Sequence, residues 1–440
     1  MELHRQLEKE LNAWRVGKLR VPILIRGARQ VGKSYLIESF GKKYFNNIIT
    51  INFELNPEYK TCFQTLDPIE ICNAIEVMAT KTITQGETLL FLDEIQDCPD
   101  AIRALRYFKE KMPGLHVIGA GSLLELVLNQ ATFRMPVGRV LFLYLYPLSF
   151  KEFLQSCNPQ AIDHLEKASV EKPLPEAIHN HLMKQLKIYL WLGGMPAVLQ
   201  HYEAEQNLQQ AQIIQAGVLE TYERDFSHYH TVANPIYLRH CFRQVPLLIG
   251  QQIKYNKIDP DSRSRELKDA LDALESANVI QRIHATAATG IPLDATVNDK
   301  KFKLNFVDVG LVKRANKLDV QLLLQDDFML QNQGALTEQF VGQELLAYSP
   351  SYEKAKLYFW ARDGHGNAEV DYIISNGKSI FPLEVKSGKV GRLKSLQQFL
   401  IDHNSKIGVR VSTLPLSFEN NILSVPLYMM SELQRLLANN

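Results

Sequence analysis

The eight residues 27–34, GARQVGKS, constrain the fold of this chain more than any other segment. They fit the Walker A pattern GxxxxGK[ST] and lie between an apolar run, VPILIR (21–26), and a helical pattern. Glycines allow main-chain N–H groups to curve around phosphate oxygens, and the N-terminus of the following helix adds positive potential. The segment therefore predicts a phosphate-binding loop between a strand and a helix.

The residue types of the loop indicate how a nucleotide would be held. Lys33 is expected to reach the β- and γ-phosphates, and Ser34 is expected to ligate Mg²⁺. The residues expected to contact the nucleotide are Gly27, Ala28, Arg29, Gln30, Val31, Gly32, Lys33, Ser34 and Tyr35. The alternative is a chance glycine-rich turn, which the strand–loop–helix context and a second motif disfavour.

The second motif is the Walker B-like run TLLFLDE (88–94), in which uncharged residues precede two carboxylates. In parallel sheets, ligands bind at the carboxyl ends of the strands. Asp93 is therefore expected to hold Mg²⁺, and Glu94 is expected to orient and polarise the water that attacks the γ-phosphate. The alternative is an ordinary strand that ends in acidic surface residues.

Three residues further along the chain are weaker candidates for the same site. Ser122 stands where many P-loop ATPases have a polar residue against the γ-phosphate or the attacking water, and a helix N-cap is an equal alternative. Arg139 precedes the fifth predicted strand, where an arginine often reaches the γ-phosphate of a neighbouring subunit. A solvated arginine is the alternative, and Arg134 is a weaker candidate for the same role.

Residues 1–150 alternate apolar runs with helical patterns, which predicts an α/β fold with a parallel sheet covered on both faces. The predicted strands are VPILIR (21–26), NIITINF (47–53), TLLFLDE (88–94), LHVIGAG (115–121) and RVLFLYLYP (139–147). A polar, proline-bearing stretch (156–180) then predicts a linker, and residues 181–230 are mainly helical in pattern.

The last two hundred residues change pattern twice. Helical segments followed by two strand-like runs (279–285 and 300–308) predict a winged helix, and QDDFMLQNQG (325–334) predicts a boundary. Beyond it the pattern predicts a helix, three strands, a helix and a strand, at 335–348, 356–361, 368–374, 379–385, 391–402 and 406–412. The resulting division has units at 1–155, 156–232, 233–330 and 331–440.

Composition narrows the classes of protein to consider. The net charge of +1 predicts no polyanion partner from bulk charge, so a nucleic-acid surface would have to be a local patch. The five cysteines lie far apart without a CxxC pair, which argues against a disulfide framework or a zinc site. The N-terminus lacks the apolar core of a signal peptide, and no apolar run approaches the roughly 20 residues of a membrane span. A cytoplasmic protein with no membrane segment is expected.

Four charged residues of the last block could form a second site. Period-two alternation sends Glu384 and Lys386 to one face of their strand, Asp371 lies on the preceding strand, and Glu338 lies on the helix before the strands. This set resembles the PD-(D/E)XK nuclease site, in which Asp371 and Glu384 would hold one or two divalent ions, Mg²⁺ or Mn²⁺. Glu338 would help, and Lys386 would polarise water. The alternatives are solvated strand ends, or a nuclease fold kept only as a binding module.

The charges of the predicted winged helix do not favour base-specific reading. The helix at 264–279 is acidic on its outer surface, although phosphates surround any helix that enters a major groove. The basic residues that could still contact backbone phosphate are Arg263, Arg265, Lys300, Lys301 and Lys303. A structural or protein-binding winged helix is at least as well supported.

The motifs together resemble a prokaryotic AAA+ family, the archaeal-type ATPase group whose C-terminal half is a domain of unknown function. The resemblance covers nearly the whole chain, and its segments are IRGARQVGKS, FLDEIQ, GAGSLLE, VGRV…YPLSFKEFL, WLGGMPAVL and EVDYII…PLEVKSG. It implies an AAA+ core, a helical lid, a winged helix and a restriction-endonuclease-like C-terminal α/β domain. It also implies that Gly27, Gly32, Lys33, Ser34, Asp93 and Glu94 bind the nucleotide, and that the nucleotide is ATP.

Two functional readings remain open at this stage. In the first, Mg²⁺-dependent ATP hydrolysis controls a metal-dependent nuclease site that acts on DNA or RNA. In the second, the chain is a nucleotide-gated switch or scaffold with a silent nuclease fold and a protein partner. Both functions are compatible with a homo-oligomer.

Overall fold

The computed structural model of the chain describes residues 3–18, 20–128, 138–230, 232–318, 334–362, 368–387 and 393–438. Arg134 and nearly all of the predicted boundary at 325–334 lie outside these residues. No helix in the described ranges is long and apolar enough to cross a lipid bilayer.

The N-terminal part is a five-stranded parallel sheet, as the alternating sequence pattern predicts. Its strand order is β2-β3-β4-β1-β5. The strands are β1 (Ile23–Arg26), β2 (Asn47–Asn52), β3 (Thr88–Asp93), β4 (His116–Ala120) and β5 (Leu141–Tyr144). The helices of this part are α1 (Leu7–Val16), α2 (Lys33–Tyr44), α3 (Pro68–Ala79), α4 (Pro99–Lys111) and α5 (Leu124–Leu128).

Both faces of this sheet are buried, which explains why its strands are apolar at consecutive positions. On β3, Leu89 and Phe91 join one core together with Phe40 of α2. Leu90 and Leu92 point to the other side and join a second core with residues of α3 and α4. Because the sheet is parallel, the carboxyl ends of β1 and β3 lie at the same edge of it, with β4 between them.

Five helices follow the sheet, including one where the sequence predicted a linker. They are α6 (Phe150–Cys157), α7 (Gln160–Lys167), α8 (Glu176–Leu192), α9 (Pro196–Glu205) and α10 (Leu208–Asp225). The stretch 156–180 is thus not a plain linker, because Ala161, Ile162 and Leu165 of α7 share one helical face that is buried. The interruption between α8 and α9 falls at Gly193 and Gly194, as the sequence indicated.

The next block contains helices followed by a β-hairpin. Its elements are α11 (Pro235–Gln244), α12 (Tyr255–Ile258), α13 (Ser264–Ser276), β6 (Ile280–Thr286), β7 (Val297–Phe306) and α14 (Val309–Ala315). The apolar stripe of α13, including Leu267, Leu271 and Leu274, is fully buried. This order matches the predicted one, and a winged helix stays a prediction.

The last block has the predicted order of helix, three strands, helix and strand. Its elements are α15 (Gly334–Ala347), β8 (Leu357–Ala361), β9 (Glu369–Ser375), β10 (Ile380–Val385), α16 (Lys394–Asp402), β11 (Gly408–Ser412), β12 (Ser417–Glu419), β13 (Ile422–Pro426) and α17 (Leu433–Ala438). The sequence did not predict β12, β13 or α17.

The hairpin of the middle block and the strands of the last block form one mixed sheet. Its order across the described residues is β12-β13-β11-β10-β9-β8-β6-β7. The junction is a parallel pair in which Ile283 of β6 lies opposite Leu357 of β8. Strand β8 would otherwise be an edge with unpaired main-chain groups, and β6 covers it. The predicted division at 330/331 therefore does not separate two sheets.

Candidate nucleotide-binding site

The loop between β1 and α2 has a backbone that its glycines make possible. Gly27 has a φ of +148°, and a Cβ atom there would lie 2.1 Å from the carbonyl oxygen of Leu145. Gly32 has a φ of +92° and immediately precedes α2. Because L-residues rarely adopt such angles, both positions favour glycine. The loop therefore passes close to Leu145, just after β5, and leads directly into the N-terminus of α2, where unpaired N–H groups favour an anion.

Lys33 is the first residue of α2, and its side chain reaches back to the start of the loop. Its Nζ atom donates hydrogen bonds of 2.9 and 2.8 Å to the carbonyl oxygens of Gly27 and Ala28. Burial lowers the pKa of Lys33 to about 8, although the charges of Glu94 and Asp93 oppose this shift. Lys33 is therefore mostly protonated at neutral pH, and a bound anion such as a triphosphate would raise its pKa again. No carboxylate of the described residues forms an ion pair with this ammonium group, so the loop combines anion-binding geometry with a positive charge that is available to a phosphate.

Ser34 and Asp93 lie together, as expected for a magnesium site. Ser34 Oγ donates to both carboxylate oxygens of Asp93 at 3.0 and 3.1 Å, and Asn52 Nδ2 donates to Asp93 Oδ2 at 3.1 Å. Burial, with the charge of Glu94, raises the pKa of Asp93. Mg²⁺ takes few protein ligands and keeps several waters beside substrate phosphates, so a hydroxyl and a carboxylate are a fitting donor set. The sequence reading missed Asn52, which ends the neighbouring strand.

Glu94 is held by three hydrogen bonds to a single oxygen. Its Oε2 atom accepts from Gln96 Nε2 at 2.8 Å, from Ser122 N at 3.0 Å and from Ser122 Oγ at 3.1 Å. Burial opposes ionisation of Glu94, but these hydrogen bonds and the charge of Lys33 outweigh it and lower the pKa. Glu94 is therefore an ionised carboxylate that Ser122 and Gln96 orient, and within the described residues its other oxygen, Oε1, accepts no hydrogen bond and can receive one from water.

Arg139 does not reach the site within its own chain. Its Nε atom lies 3.2 Å from Glu110 Oε1, and its side chain is 45% exposed. An ion pair of this kind at the surface is weak and can be exchanged for another partner. Action on a neighbouring subunit therefore stays a prediction.

Helices α9 and α10, which lie in the range where the family resemblance implies a helical lid, form the opposite wall of a cleft above the phosphate loop, although the sequence did not identify the residues that line it. The cleft has a volume of about 820 Å³. Its lining from the sheet side includes Lys33, Ser34, Tyr35 and Glu94, and from the helices it includes Pro196, Ala197, Gln200, Ile213, Ile214, Gly217, Val218 and Thr221. The cleft therefore has charged groups at the loop and mostly apolar or neutral groups on the helices, as a nucleotide needs for its phosphates and its base.

Two further contacts tie α10 to the phosphate loop. Tyr222 donates its hydroxyl hydrogen to the carbonyl oxygen of Arg29 at 2.6 Å. The guanidinium of Arg29 forms an ion pair with Asp225, which lies at the end of α10. These contacts join residues almost 200 positions apart in the chain, so no local sequence signal identifies them.

The four charged residues of the last block also lie together. Asp371 Oδ2 accepts a hydrogen bond of 2.8 Å from Val385 N, and Lys386 Nζ donates to Glu384 Oε1 at 2.5 Å. Burial raises the pKa of Glu338 and of Glu384 to about 7. Glu338 is linked to the other three residues through a lysine that the sequence analysis had expected at a nucleic-acid surface.

That residue is Lys303, and the expectation that it contacts backbone phosphate is wrong. It is 1% exposed, and its Nζ atom lies 2.9 Å from Glu338 Oε1, 2.6 Å from Glu369 Oε1 and 3.7 Å from Asp371 Oδ1. The described residues contain no group of three or more His, Cys, Asp or Glu side chains arranged to hold a metal ion. The predicted divalent-ion site at Asp371 and Glu384 thus gains no support from the geometry.

Comparison with known families gives matches to three successive parts of the chain. Residues 20–154 match an AAA domain, residues 183–322 match a domain of unknown function (DUF8612), and residues 333–429 match another (DUF4143). No curated protein matches the chain.

Solved structures with similarity to the chain are distant. The Aeropyrum pernix ORC2 protein, in its ADPNP–ADP complexes, is 13% identical with a TM-score of 0.38, over 72% of this chain and 94% of that one. The Aeropyrum pernix ORC1 protein, in complex with DNA, is 12% identical with a TM-score of 0.29, over 74% and 94%. Cdc6p from Pyrobaculum aerophilum is 9% identical with a TM-score of 0.24, over 71% and 92%. Because these scores are low, the assignment rests on the family match, the loop and the sheet: the N-terminal part of the chain is an AAA+ ATPase-like domain with a P-loop.

Proposed function

We propose that the chain binds ATP with Mg²⁺ in the cleft between the phosphate loop and helices α9 and α10, and hydrolyses it. The observation that carries this proposal is the convergence of Lys33, Ser34, Asp93 and Glu94 at the carboxyl edge of the parallel sheet. Lys33 would bind the phosphates, Ser34 and Asp93 would hold Mg²⁺, and Glu94 would accept a hydrogen bond from the attacking water.

Each remaining candidate has a supporting part in this proposal. Mg²⁺, when bound, neutralises charge on the β- and γ-phosphate oxygens. Ser122 acts on Glu94, which its N–H and hydroxyl groups orient, so it is a positioning residue. Arg139 would serve the site of a second copy of the chain in a homo-oligomer.

A mixing experiment tests both hydrolysis and the role of Arg139. We expect Mg²⁺-dependent phosphate release by the wild-type chain, and little by Arg139→Ala or Glu94→Gln alone. A mixture of the two variants should recover part of the activity, because each supplies what the other lacks. Release of no phosphate by the wild-type chain contradicts the ATPase proposal. An active wild type without recovery in the mixture contradicts only the role of Arg139 between subunits.

We further propose that the nucleotide state is transmitted to the mixed sheet through buried contacts that begin at the loop. A Cβ atom at Gly32 would lie 3.1 Å from Pro196 Cγ, so the start of α9 packs directly on the loop. Two residues earlier, Gly194 N donates to Asp308 Oδ2 at 2.6 Å, and Asp308 Oδ1 accepts from Leu311 N at 3.0 Å. A shift of α9 would therefore reach the first turn of α14.

Helix α15 continues these contacts toward β7 and α14 on one side and toward Phe150 on the other. Gln343 accepts a hydrogen bond from Val309 N at 2.9 Å, at the start of α14. Gln339 exchanges two hydrogen bonds with the main chain of Phe306 at the end of β7. Glu344 accepts from Phe150 N at 2.9 Å, next to the AAA+ sheet. The helix thus contacts the hairpin, α14 and the N-terminal part at once, which supports coupled movement.

The second reading, a nucleotide-gated switch or scaffold with a protein partner, is the better supported account of the C-terminal half. The buried ammonium of Lys303 lies among Glu338, Glu369 and Asp371, in the place where a nuclease would hold its metal ion. Arg282 of β6 is a basic side chain beside the acidic helix α13. It forms an ion pair with Asp272 of that helix at 2.6 Å, so its charge is neutralised. Nuclease action remains a proposal, which Mn²⁺ binding and DNA cleavage by the wild type and Asp371→Asn test.

A further inference from the structure

We infer that Lys303 takes the place of a divalent cation in the C-terminal carboxylate cluster, so that this cluster binds no metal ion in the intact chain. The cluster consists of Glu338, Glu369, Asp371 and Glu384 with the ammonium groups of Lys303 and Lys386. This inference does not depend on the ATPase proposal, because it concerns residues on a different sheet.

The first argument is the number of carboxylates that the ammonium group of Lys303 contacts. Lys303 Nζ lies 2.9 Å from Glu338, 2.6 Å from Glu369 and 3.7 Å from Asp371, and Lys386 Nζ lies 2.5 Å from Glu384. Every carboxylate of the cluster therefore has an ammonium partner. Two ammonium groups do not cancel the charge of four carboxylates, but a metal ion here would have to displace ammonium groups from buried carboxylates that they already contact, and breaking such pairs is costly.

The second argument is that several oxygens of the cluster already accept hydrogen bonds. Glu369 has its second oxygen bound by Gln252 Nε2 at 2.6 Å, and Asp371 has one oxygen bound by Val385 N at 2.8 Å. Among carboxylate oxygens of the described residues, Glu384 Oε2 is the one that is fully buried without a hydrogen-bond partner. Hard divalent ions need several oxygen ligands at about 2.0–2.6 Å, so an ion here would have to take oxygens that already accept hydrogen bonds.

The third argument is that Lys303 is fixed where it stands. It lies on β7, paired with Ile283 of β6, and its ammonium group lies 5.3 Å from the centre of the Phe359 ring. Two strands lie between β7 and β9, so at the usual strand spacing the axes of β7 and β9 are about 14 Å apart. The sheet must therefore curve for Lys303 to reach Asp371. An ion bound to Asp371 would lie within about 6 Å of the ammonium group, and the two positive charges would repel each other in a buried site.

Manganese binding by the nucleotide-free, full-length chain tests the inference. Bound Mn²⁺ is counted from the loss of the electron paramagnetic resonance signal of free Mn²⁺, for the wild type and for Asp371→Asn. We expect equal numbers, because any ion at the phosphate loop is common to both. Loss of one bound ion in Asp371→Asn would overturn the inference. So would Mn²⁺-dependent cleavage of DNA that Asp371→Asn abolishes.

A second pair of variants tests the substitution of ammonium for metal. Lys303→Met removes the buried charge with little change in length, and Lys300→Met removes an exposed charge from the same strand. We expect Lys303→Met to gain one Mn²⁺ site that Asp371→Asn removes again, and Lys300→Met to gain none. A folded Lys303→Met chain without the extra site would contradict the inference. Should Lys303→Met not fold, the comparison of the wild type with Asp371→Asn still decides it.

Discussion

Replacing Glu94 by glutamine is expected to abolish most ATP turnover while leaving ATP binding nearly intact. Glutamine keeps the shape of the side chain and an oxygen for the donors Ser122 and Gln96, but it loses the negative charge that polarises water. A positioned general base contributes about 10²–10⁴ in rate, so the turnover number should fall by at least about a hundredfold. Phosphate release and nucleotide affinity, measured on the same preparation, check both halves of the prediction.

A matched control for Glu94→Gln is Glu87→Gln, which makes the same chemical change at an exposed position just before β3. It should turn over ATP at the wild-type rate. If Glu94→Gln hydrolyses ATP normally, Glu94 is not the residue that acts on water. If it fails to bind ATP at all, its charge is needed to organise the loop, and the assigned role is again wrong.

The second large effect is expected from Asp308, whose carboxylate joins the segment after α8 to the start of α14. Asp308 is fully buried, and burial raises its pKa to about 6. Replacement by alanine would leave the N–H groups of Gly194 and Leu311 without an acceptor, at about 1–3 kcal/mol each. Relief from burying a charge offsets part of this, so the free energy of unfolding should fall by about 2–3 kcal/mol.

Urea unfolding followed by circular dichroism measures the loss, with Asp100→Ala as the control. Asp100 is a half-exposed aspartate paired with Arg103 three residues later on α4, so its replacement should cost well under about 1 kcal/mol. Equal effects of the two substitutions would show that Asp308 does not hold the two elements together. A large effect of Asp308→Ala would identify this junction as the place to look for transmission of the nucleotide state.

The phosphate loop and the strand ending in Asp93 and Glu94 could be predicted from the sequence because their signals are local. Glycine spacing fixes the loop, and an apolar run followed by two acids marks the strand end. The partners of these residues could not be predicted in the same way. Asn52 and Gln96 are polar residues without a pattern, and Tyr222 and Asp225 reach the loop only because α10 folds back over it.

Strand β7 shows why Lys303 was misplaced. Phe302, Leu304 and Phe306 alternate with polar residues, a pattern that predicts one buried and one solvated face. In the structure the polar face is covered as well, since Gln339 of α15 binds the main chain of Phe306 and Glu338 binds Lys303. A helix that covers a strand with polar side chains leaves no apolar signal in that strand.

The extent of the mixed sheet also could not be predicted from local sequence patterns. The pairing of β6 with β8 joins residues more than 70 positions apart, and nothing in either strand specifies the other. The hairpin of β12 and β13 did carry a signal that was missed. Asn420 and Asn421 both have positive φ angles, of 50° and 63°, and two such residues in succession are typical of a tight hairpin turn.

The central claim, that the Lys33 ammonium group binds the phosphates of ATP, is tested most directly by calorimetric titration of the chain with ATP and Mg²⁺ at pH 7 and pH 9.5. Because burial lowers the pKa of Lys33 to about 8 in the free protein, the lysine is protonated below that pH and loses its proton above it. We expect the wild-type affinity to be roughly tenfold weaker at pH 9.5, and Lys33→Met to bind at least about tenfold more weakly at pH 7, with no such dependence on pH. Equal affinity of the wild type and Lys33→Met at pH 7 would contradict the account.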